Sequence, residues 1–432
     1  MNNASTAPII IIGNGIAGTT FARHFRKKSN HPLLLISDEN ESFFSRTALM
    51  YVFMGHLRWN DLEPYEERFW ADNQIGRIKG RVTEIMSTEQ KIVLKDGQAL
   101  PYKKLVLATG SIPRDMGLKG ENSQGVFRLY HKQDLEALDR WCKGKKKSVI
   151  VGGGLIGVEL AEMLRSRKME VTYLVRESHF WANALCVEEA QLIANHLSDH
   201  QVDLRFNCTL KAIETDRNGE LSGCTTQDDQ HLECDTMGIT IGVRPNVDFL
   251  KNAGLNIDKG VVVDEYLTTN IPHIYAIGDC AQIAHPLPHR NAIEAVWYAG
   301  RMMGETLAET LTNSPTPYRP GHWFNSAKFF DIEYQTYGEI LPLPTKNEAH
   351  FLWQSPQENK SLRFAYEKDS KIFKGVSSLG LRLRHEVFDQ WLEEKITMTS
   401  LLEQLEKANF DPEFSRRYEK QISAKWKEHP HQ

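Results

Sequence analysis

The chain has 432 residues, 25% charged residues and a formal net charge of −4, a composition typical of a globular enzyme with two or three domains. The small net charge argues against a nucleic-acid partner, and no apolar run approaches the roughly 18 residues that a membrane helix needs. The first residues, MNNASTAPIIIIG, lack a basic region, so we predict no signal peptide and a cytoplasmic location.

The first organised stretch of the chain is a strand, a glycine-rich turn and a helix. An apolar strand at residues 8–12 runs into the turn, and the helix reaches about Lys28. A second strand at 33–37 ends in Asp38 and Glu39. Asp38 follows Gly13 by 25 residues, roughly the spacing at which an acid meets the ribose of a bound dinucleotide. A turn of this type lets the backbone approach a pyrophosphate, and this one contains Gly13, Gly15, Ile16, Ala17 and Gly18.

The middle of the chain contains weaker signals. Residues 76–100 alternate in the manner of a meander, and the strand after them ends in Ala108, Thr109 and Gly110. Residues 131–142 are predicted to be helical.

The strand, turn and helix pattern returns at residues 148–162, SVIVGGGLIGVELAE. The first glycine of such a turn makes the bend, the second lets the backbone approach a pyrophosphate, and the third lets the helix pack on the strand. This turn contains Gly152, Gly154, Leu155, Ile156 and Gly157. The strand after this helix, at 171–175, ends without an acid.

The last third of the chain contains a second strand-to-helix junction and a separate region. Residues 274–280, IYAIGDC, lead into a helix predicted from about Asn291 to Leu311. The proline-rich stretch 313–320 predicts a domain boundary. Beyond it we predict strands, helices at 385–394 and 397–408, and a polar, peripheral tail from Asp411.

Two dinucleotide turns about 140 residues apart, the ATG strand end between them and the late IYAIGDC resemble the FAD-dependent pyridine nucleotide-disulfide oxidoreductase superfamily. The resemblance covers residues 8–311. It implies an α/β fold with two Rossmann-like dinucleotide-binding domains, for FAD and NAD(P), and a smaller α+β C-terminal domain. The implied boundaries are 1–125 with 253–318 for FAD, 126–252 for NAD(P)H, and 319–432 for a C-terminal, dimerisation-like domain.

The resemblance also assigns residues to FAD. The first turn binds the pyrophosphate, Asp38 or Glu39 the adenosine ribose, and Asp279 a ribitol hydroxyl that Gly278 allows to come close. Trp297 matches a position near the pyrimidine edge of the flavin, although an ordinary core aromatic is the alternative. The remaining residues implied to contact the cofactors are Val82, Ala108, Thr109, Gly110 and Gly242.

Disulfide reductases of the superfamily carry a CxxxxC pair after the first βαβ unit, where this chain reads SFFSRTALMY. Arg46 takes the place of the cysteine. The segment resembles rubredoxin and ferredoxin reductases and the flavin domain of nitrite reductases. Tyr51 stands where some ferredoxin reductases have a lysine at the flavin. We therefore expect Arg46 and Tyr51 beside the flavin, and Glu159 near the nicotinamide, where a carboxylate orients the ring or pairs with a cation.

The six cysteines form no CxxC or CxxxxC pair, and no Cys/His cluster has metal-ligand spacing, so we expect inert thiols and no metal. Cys280, beside Asp279, is the one with a conceivable redox role; a buried packing role is the alternative.

The resemblance implies that the second turn, with Gly152, Gly154 and Gly157, binds the nicotinamide dinucleotide. An acid at the end of the following strand selects NADH, because it binds both ribose hydroxyls and repels a 2′-phosphate. Val175 and Arg176 occupy that place, as in members that use NADPH, while the adjacent Glu177 opposes a phosphate. The pattern favours NADPH, or the use of both nucleotides.

The predicted protein is thus an FAD-dependent NAD(P)H oxidoreductase that passes electrons to a small carrier such as rubredoxin or ferredoxin. Two alternatives stay open at this point: an NAD(P)H oxidase that reduces oxygen, and a signalling flavoprotein that resembles apoptosis-inducing factor. Trp323, Phe324 and Lys328 are candidates for contacts to the flavin from the C-terminal domain. A homodimer is left open.

Overall fold

The computed structural model describes residues 7–429, which fall into two compact units. Within these residues, no helix is both long enough and apolar enough to cross a membrane. The first unit takes the described residues up to 115 with 130–140 and 242–320, and the second takes 116–129, 141–241 and those from 321 onward.

The bounds of the strands and helices follow in chain order. The strands of the first 283 residues are β1 Ile9–Ile12, β2 Leu33–Ser37, β3 Ile75–Lys79, β4 Val82–Met86, β5 Lys91–Leu94, β6 Ala99–Pro101, β7 Lys104–Leu107, β8 Ser111–Pro113, β9 Val126–Phe127, β10 Lys147–Val151, β11 Glu170–Leu174, β12 Val202–Arg205, β13 Leu210–Thr215, β14 Leu221–Thr226, β15 His231–Glu233, β16 Thr236–Ile239, β17 Val243–Pro245, β18 Val261–Val263, β19 Ile274–Ala276 and β20 Ala281–Ile283. The later strands are β21 Phe324–Phe329, β22 Ile332–Gly338, β23 Glu348–Gln354, β24 Ser361–Glu367 and β25 Phe373–Leu379. The helices are α1 Ile16–Arg26, α2 Leu49–Phe53, α3 Glu67–Asp72, α4 Lys132–Trp141, α5 Leu155–Ser166, α6 Val187–Asp199, α7 Trp297–Thr312, α8 His385–Glu393, α9 Met398–Glu403 and α10 Glu419–Glu428.

The first unit is built on a parallel sheet with the strand order β19-β7-β1-β2-β3. All four residues of β1 are buried, as its uninterrupted run of isoleucines predicts. Because the carboxyl ends of parallel strands meet at one edge of a sheet, that edge carries the residues directly after four strands. They are Gly13, Asp38, Ala108 and, after β19, Ile277.

Helix α7 lies against α1 over glycines that let the two backbones approach closely. A Cβ atom on Gly304 would lie 2.6 Å from the carbonyl oxygen of Ala17, and one on Gly300 would lie 3.3 Å from Ile16 Cγ2. The helix begins at Trp297, later than the predicted Asn291, because Val296 is still extended (φ −131°, ψ 147°). Trp297 therefore stands at the first position of the helix.

The antiparallel meander of the first unit is shorter than its sequence pattern indicates. It consists of β4, β5 and β6, while β3 joins the parallel sheet beside β2. Val82, at the start of β4, is buried in the core of this unit.

The second unit contains another parallel sheet, with the order β12-β11-β10-β16-β9. Its central strand β10 ends at the second glycine turn, so Gly152 lies between the ends of β11 and β16. Val175 and Thr240 follow those two strands.

The C-terminal part of the second unit is an antiparallel sheet, β21-β22-β25-β24-β23, with helices α8, α9 and α10 packed on it. The tail was predicted to be peripheral, and this was wrong, because α10 buries Ile422 and Trp426. The Trp426 ring lies 5.1 Å from Phe351 and 5.2 Å from Tyr366, so aromatic packing fixes the tail to the sheet.

Candidate functional site

The first glycine turn connects β1 to α1 and has little room for side chains on its inner side. Gly13 has φ +105°, and a Cβ atom there would lie 2.0 Å from the carbonyl oxygen of Ala108, so only glycine fits. A Cβ on Gly18 would lie 2.1 Å from the carbonyl oxygen of Gly13. Because glycine has no Cβ, the first turn of α1 can pack directly against the glycine turn. The Asn14 amide braces the turn by donating to the carbonyl oxygen of Asn40 at 2.8 Å.

The middle glycine of the first turn differs from its neighbours. A Cβ on Gly15 would have no atom of the described residues within 4 Å, and Gly15 has ordinary extended angles (φ −66°, ψ −171°). It is the N-cap of α1, whose first turn contains no acidic residue. Backbone N–H groups at a helix start attract an anion, and the open space beside Gly15 fits a pyrophosphate.

The second turn repeats these features between β10 and α5. Gly152 has φ +118° with Thr240 oxygen 2.5 Å from its added Cβ, whereas a Cβ on Gly154 would meet no described atom within 4 Å. Tyr173 on β11 holds the turn, because its hydroxyl donates to the carbonyl oxygen of Gly152 at 2.7 Å. Helix α5 also has no acid in its first turn, so this turn fits a second pyrophosphate.

Glu39 and Arg46 form a half-buried ion pair after the first βαβ unit. Arg46 Nη2 lies 2.5 Å from Glu39 Oε2, and its guanidinium lies 4.7 Å from the centre of the Tyr130 ring. Glu39 also accepts the backbone N–H of Lys132, at the start of α4, at 2.8 Å. Burial raises the pKa of Glu39, but hydrogen bonds from His131 and Arg46 outweigh it and hold the pKa at about 2.

The other acid at the end of β2 has a different environment. The Asp38 side chain is 58% exposed, and its nearest cation, Arg81, lies 4.0 Å away. Since both oxygens of Glu39 already accept hydrogen bonds, Asp38 is the carboxylate with capacity for the two hydroxyls of a ribose.

Asp279 lies in the 3-10 turn Gly278–Cys280, shortly after β19, in a small polar network. Ser111 Oγ donates to Asp279 Oδ2 at 2.7 Å, and Tyr130 Oη lies 2.9 Å from the same Ser111 oxygen. Burial raises the pKa of Asp279, while the hydrogen bond from Ser111 and the charge of Arg46 partly offset this effect. The buried Asp279 carboxylate lacks the hydrogen-bond donors that water supplies. It can therefore accept a hydrogen bond from a hydroxyl group such as those of the ribityl chain of FAD.

Four more residues assigned to the cofactors, Thr109, Gly110, Gly242 and Tyr51, also lie in the first unit. Thr109 Oγ1 donates to the carbonyl oxygen of Asn246 at 2.8 Å, and a Cβ on Gly110 would lie 3.5 Å from Tyr130 Oη. Gly242 has φ +98°, and its carbonyl oxygen accepts the Arg114 N–H at 3.0 Å. Tyr51 lies on α2, with its ring centre 6.2 Å from that of His56.

Glu159 lies on α5, close to the carboxylate of Glu162 on the same helix. Burial first, and then the charge of Glu162, raise the pKa of Glu159 to about 7, an effect that Lys328 partly offsets. Lys328 on β21 donates to Glu162 Oε1 at 2.7 Å, so the cation is paired with Glu162. Phe324, on the same strand, packs on His385 at 4.3 Å between ring centres, and the Trp323 carbonyl oxygen accepts the Gly338 N–H.

The raised pKa of Glu159 predicts a pH dependence of stability. The folded state favours the protonated acid, so this contribution is complete below the unfolded pKa of about 4.5 and is lost as the pH rises to about 7. Glu159→Gln should therefore leave the thermal midpoint unchanged near pH 4.5 and raise stability by about 1–3 kcal/mol near pH 8. Thermal unfolding of both proteins across this range measures the difference.

Glu162→Gln is the matched control for this prediction. It removes the neighbouring negative charge and leaves Lys328 available to Glu159, so the stabilisation by Glu159→Gln should shrink in that background. An equal stabilisation in both backgrounds would show that the charge of Glu162 does not act on Glu159.

Val175, Arg176 and Glu177 follow β11 beside the second turn. Val175 is fully buried, and a Cβ on Gly153 would lie 2.8 Å from its Cγ1 and 3.7 Å from Glu177 Oε2. Arg176 is exposed and pairs with Glu177, with 2.8 Å between Nη2 and Oε1. An acid therefore does lie near the second turn, one residue after the arginine.

The six cysteines, all within residues 7–429, form no disulfide bond, and most are buried. Cys280, next to Asp279, is fully buried, with Sγ 3.4 Å from the carbonyl oxygen of Leu107, and burial raises the pKa of its thiol. A buried thiol with a raised pKa is a poor nucleophile and a packing residue.

Comparisons with known proteins agree with this architecture. Residues 7–304 match the family described as pyridine nucleotide-disulphide oxidoreductase. Rhodocoxin reductase of Rhodococcus erythropolis is 30% identical over 74% of this chain and 76% of that protein. Rubredoxin-NAD(+) reductase of Alcanivorax borkumensis is 30% identical over 71% of this chain and 80% of that protein. The solved structure of a ferredoxin reductase from Rhodopseudomonas palustris is 26% identical, has a TM-score of 0.79, and covers 86% of this chain and 91% of that one.

The fold and the two glycine turns define an oxidoreductase that binds two dinucleotides. The chain belongs to the pyridine nucleotide-disulphide oxidoreductase family, in the branch without redox-active cysteines, and its cofactors are FAD and NADH or NADPH. The predicted fold class is confirmed: two parallel dinucleotide-binding sheets and a smaller C-terminal sheet with helices.

Proposed function

We propose that the protein takes a hydride from NADPH or NADH onto FAD and passes the electrons to a small carrier protein of the rubredoxin or ferredoxin type. The observation that carries this proposal is Arg46, which occupies the place of the cysteine in disulfide reductases and is tied to Glu39. With no thiol there, electrons leave the flavin for an external acceptor. The names of the relatives, rhodocoxin reductase and rubredoxin-NAD(+) reductase, support this acceptor class.

Bound FAD supplies the site that accepts the hydride and releases single electrons. The chain would position it: the N–H groups after Gly13 and Gly15 would hold the pyrophosphate, and Asp38 would bind the adenosine ribose. Asp279 accepts a ribityl hydroxyl, and Ser111 fixes the orientation of that carboxylate. The Arg46 guanidinium, paired with Glu39, would supply a cation near the flavin, on which negative charge increases during reduction.

The nicotinamide dinucleotide binds along the second turn in the same manner. Gly152, Gly154 and Gly157 allow the pyrophosphate to approach α5. Glu159 lies one turn along this helix, and its pKa near 7 lets it bind the nicotinamide amide either as donor or as acceptor. Tyr51 and Arg46 remain our candidates for contacts to the flavin ring, and Trp297, at the start of α7, for its pyrimidine edge.

Counting electrons tests the absence of a thiol relay. An anaerobic titration of the FAD-loaded protein with dithionite should reduce it completely with about two electrons per FAD. A demand for about four electrons per FAD would reveal a redox-active disulfide and overturn the proposal.

Arg176 and Glu177 should set the nucleotide preference in opposite directions. Arg176 offers a cation to a 2′-phosphate, while Glu177 accepts ribose hydroxyls and repels a phosphate. A charge-assisted hydrogen bond contributes about 1.5–3 kcal/mol, so Arg176→Ala should lower the NADPH/NADH ratio of kcat/KM by about ten-fold or more. Glu177→Gln should raise the same ratio.

Steady-state kinetics with both nucleotides measure this preference, and the two variants control each other. If Arg176→Ala leaves the ratio unchanged, the assignment of the 2′-phosphate site is wrong. If both variants shift it in the same direction, the residues act through folding rather than through the ribose.

We propose the domain boundaries 1–125 with 253–318, 126–252 and 319–432, because each of these parts contains its own sheet. We also propose that the protein is cytoplasmic. We further propose that the C-terminal part serves as an interface, either to the carrier or to a second copy in a homodimer. Light scattering with and without an oxidised carrier separates the two kinds of interface.

A further inference from the structure

Two histidines and an aspartate meet in the second unit, away from the glycine turn. His196 on α6 is 5% exposed, and His200 follows one helical turn later. Since Phe329 pairs with Ile332, the turn between β21 and β22 is Phe330-Asp331. Asp331 Oδ1 lies 2.7 Å from His196 Nε2 and 3.7 Å from His200 Nε2.

The contact between His196 and Asp331 is not an ordinary hydrogen bond. His196 Nε2 is buried and has no hydrogen-bond partner among residues 7–429, although the carboxylate oxygen is only 2.7 Å away. The angles of a hydrogen bond are therefore not met. Three ligand atoms, one from each residue, lie within 4.8 Å of one another. A tetrahedral zinc ion with bonds of about 2.0–2.1 Å spaces its ligand atoms about 3.3 Å apart, between the two observed distances.

The imidazoles have neighbours that can orient them for metal binding. His200 Nδ1 lies 2.9 Å from the carbonyl oxygen of His196 and donates its hydrogen there, which leaves the Nε2 lone pair free. Asn359 Nδ2 lies 3.3 Å from His196 Nδ1, and a 180° rotation of the amide brings its oxygen to that position. With its oxygen toward the ring, this amide accepts the Nδ1 hydrogen and frees Nε2 in the same way.

Phe330 closes one side of the cluster. It is 7% exposed, with φ +55°, a rare angle for a bulky residue, and its ring centre lies 4.5 Å from that of His200. In this conformation the apolar Phe330 ring packs against the imidazoles of His196 and His200. The Asp331 side chain, in contrast, is 78% exposed and leaves a path from solvent.

We propose that His196, His200 and Asp331 form a site for a divalent transition metal ion, with zinc as its ion, and that the bound ion fastens α6 to the β21–β22 hairpin. Two imidazoles and a carboxylate are donors that zinc accepts, and three protein ligands leave a fourth position for water. The two histidines are four residues apart, which places them on one face of a helix. The prediction of no metal is at odds with this cluster, because the third ligand, Asp331, is far from the two histidines in the chain.

Calorimetric titration of zinc chloride into the FAD-loaded full chain, treated with chelator and without a histidine tag, tests the site. We expect saturable binding of one ion per chain. His200→Asn and Asp331→Asn should each weaken the affinity by at least about ten-fold. His231→Asn is the matched control, because His231 is an exposed histidine paired with a single carboxylate, Glu214, at 3.2 Å, and it should bind zinc as the unaltered protein does.

Thermal unfolding gives a second readout. Zinc should raise the midpoint of the unaltered protein and of His231→Asn, and should have little effect on His200→Asn and Asp331→Asn. The exposure of Asp331 predicts that Asp331→Asn folds and retains FAD. Absence of saturable binding to the unaltered protein, or equal affinity in all four proteins, would overturn the proposal, and equal affinity would assign the ion to another site.

Discussion

Gly15→Val should produce a folded protein that does not retain FAD. Gly15 has backbone angles that valine adopts, and a Cβ there meets no described atom within 4 Å, so the backbone accommodates the substitution. The added methyl groups instead fill the space at the start of α1 where the pyrophosphate binds. Loss of two charge-assisted hydrogen bonds, at about 1.5–3 kcal/mol each, weakens FAD binding by at least about a hundred-fold.

Flavin absorbance after gel filtration, together with circular dichroism, measures both parts of this prediction. The circular dichroism should match that of the unaltered protein after its FAD has been removed. Full retention of FAD by Gly15→Val would show that the pyrophosphate does not lie at this turn.

Gly154→Val should have the complementary effect. This residue also has allowed angles for valine (φ −108°, ψ −179°) and open space beside its added Cβ. The variant should keep its FAD and be reduced by dithionite, but the second-order rate constant for reduction by NADPH or NADH should fall by at least about a hundred-fold. Stopped-flow absorbance of the flavin measures that rate.

The two valine variants serve as controls for each other, because the same change is made in equivalent turns. If Gly154→Val loses FAD, or reacts with the nucleotides at an unaltered rate, the assignment of the second turn is wrong.

Local chemistry made much of this architecture predictable. The run of isoleucines before Gly13 and the apolar strand before Gly152 specify buried parallel strands, and the spacing of the glycines specifies turns against helix starts. The structure confirms both units because these signals lie within a few residues of each other. The start of α7 was less predictable, since nothing between Asn291 and Val296 breaks a helical pattern as proline would.

The polar networks were not predictable, because their members are distant in the chain. Ser111 and Asp279 are 168 residues apart, and Tyr130, which supports Ser111, belongs to a third segment. The sequence also offered two acids for one ribose. Only the contacts of Glu39 with Arg46 and α4 distinguish it from Asp38.

The most direct test of the account is the fate of electrons on the reduced protein. The FAD-loaded protein is reduced anaerobically with NADPH or NADH. One sample is then mixed with an oxidised carrier, a rubredoxin or a [2Fe–2S] ferredoxin, and a second sample with air-saturated buffer. The flavin absorbance is followed in both. We predict rapid reduction by the nucleotide, rapid reoxidation by a carrier and slow reoxidation in air. Faster reoxidation by oxygen than by any carrier would contradict the account in favour of an oxidase, and a reduced protein that is stable towards every acceptor would favour a signalling role.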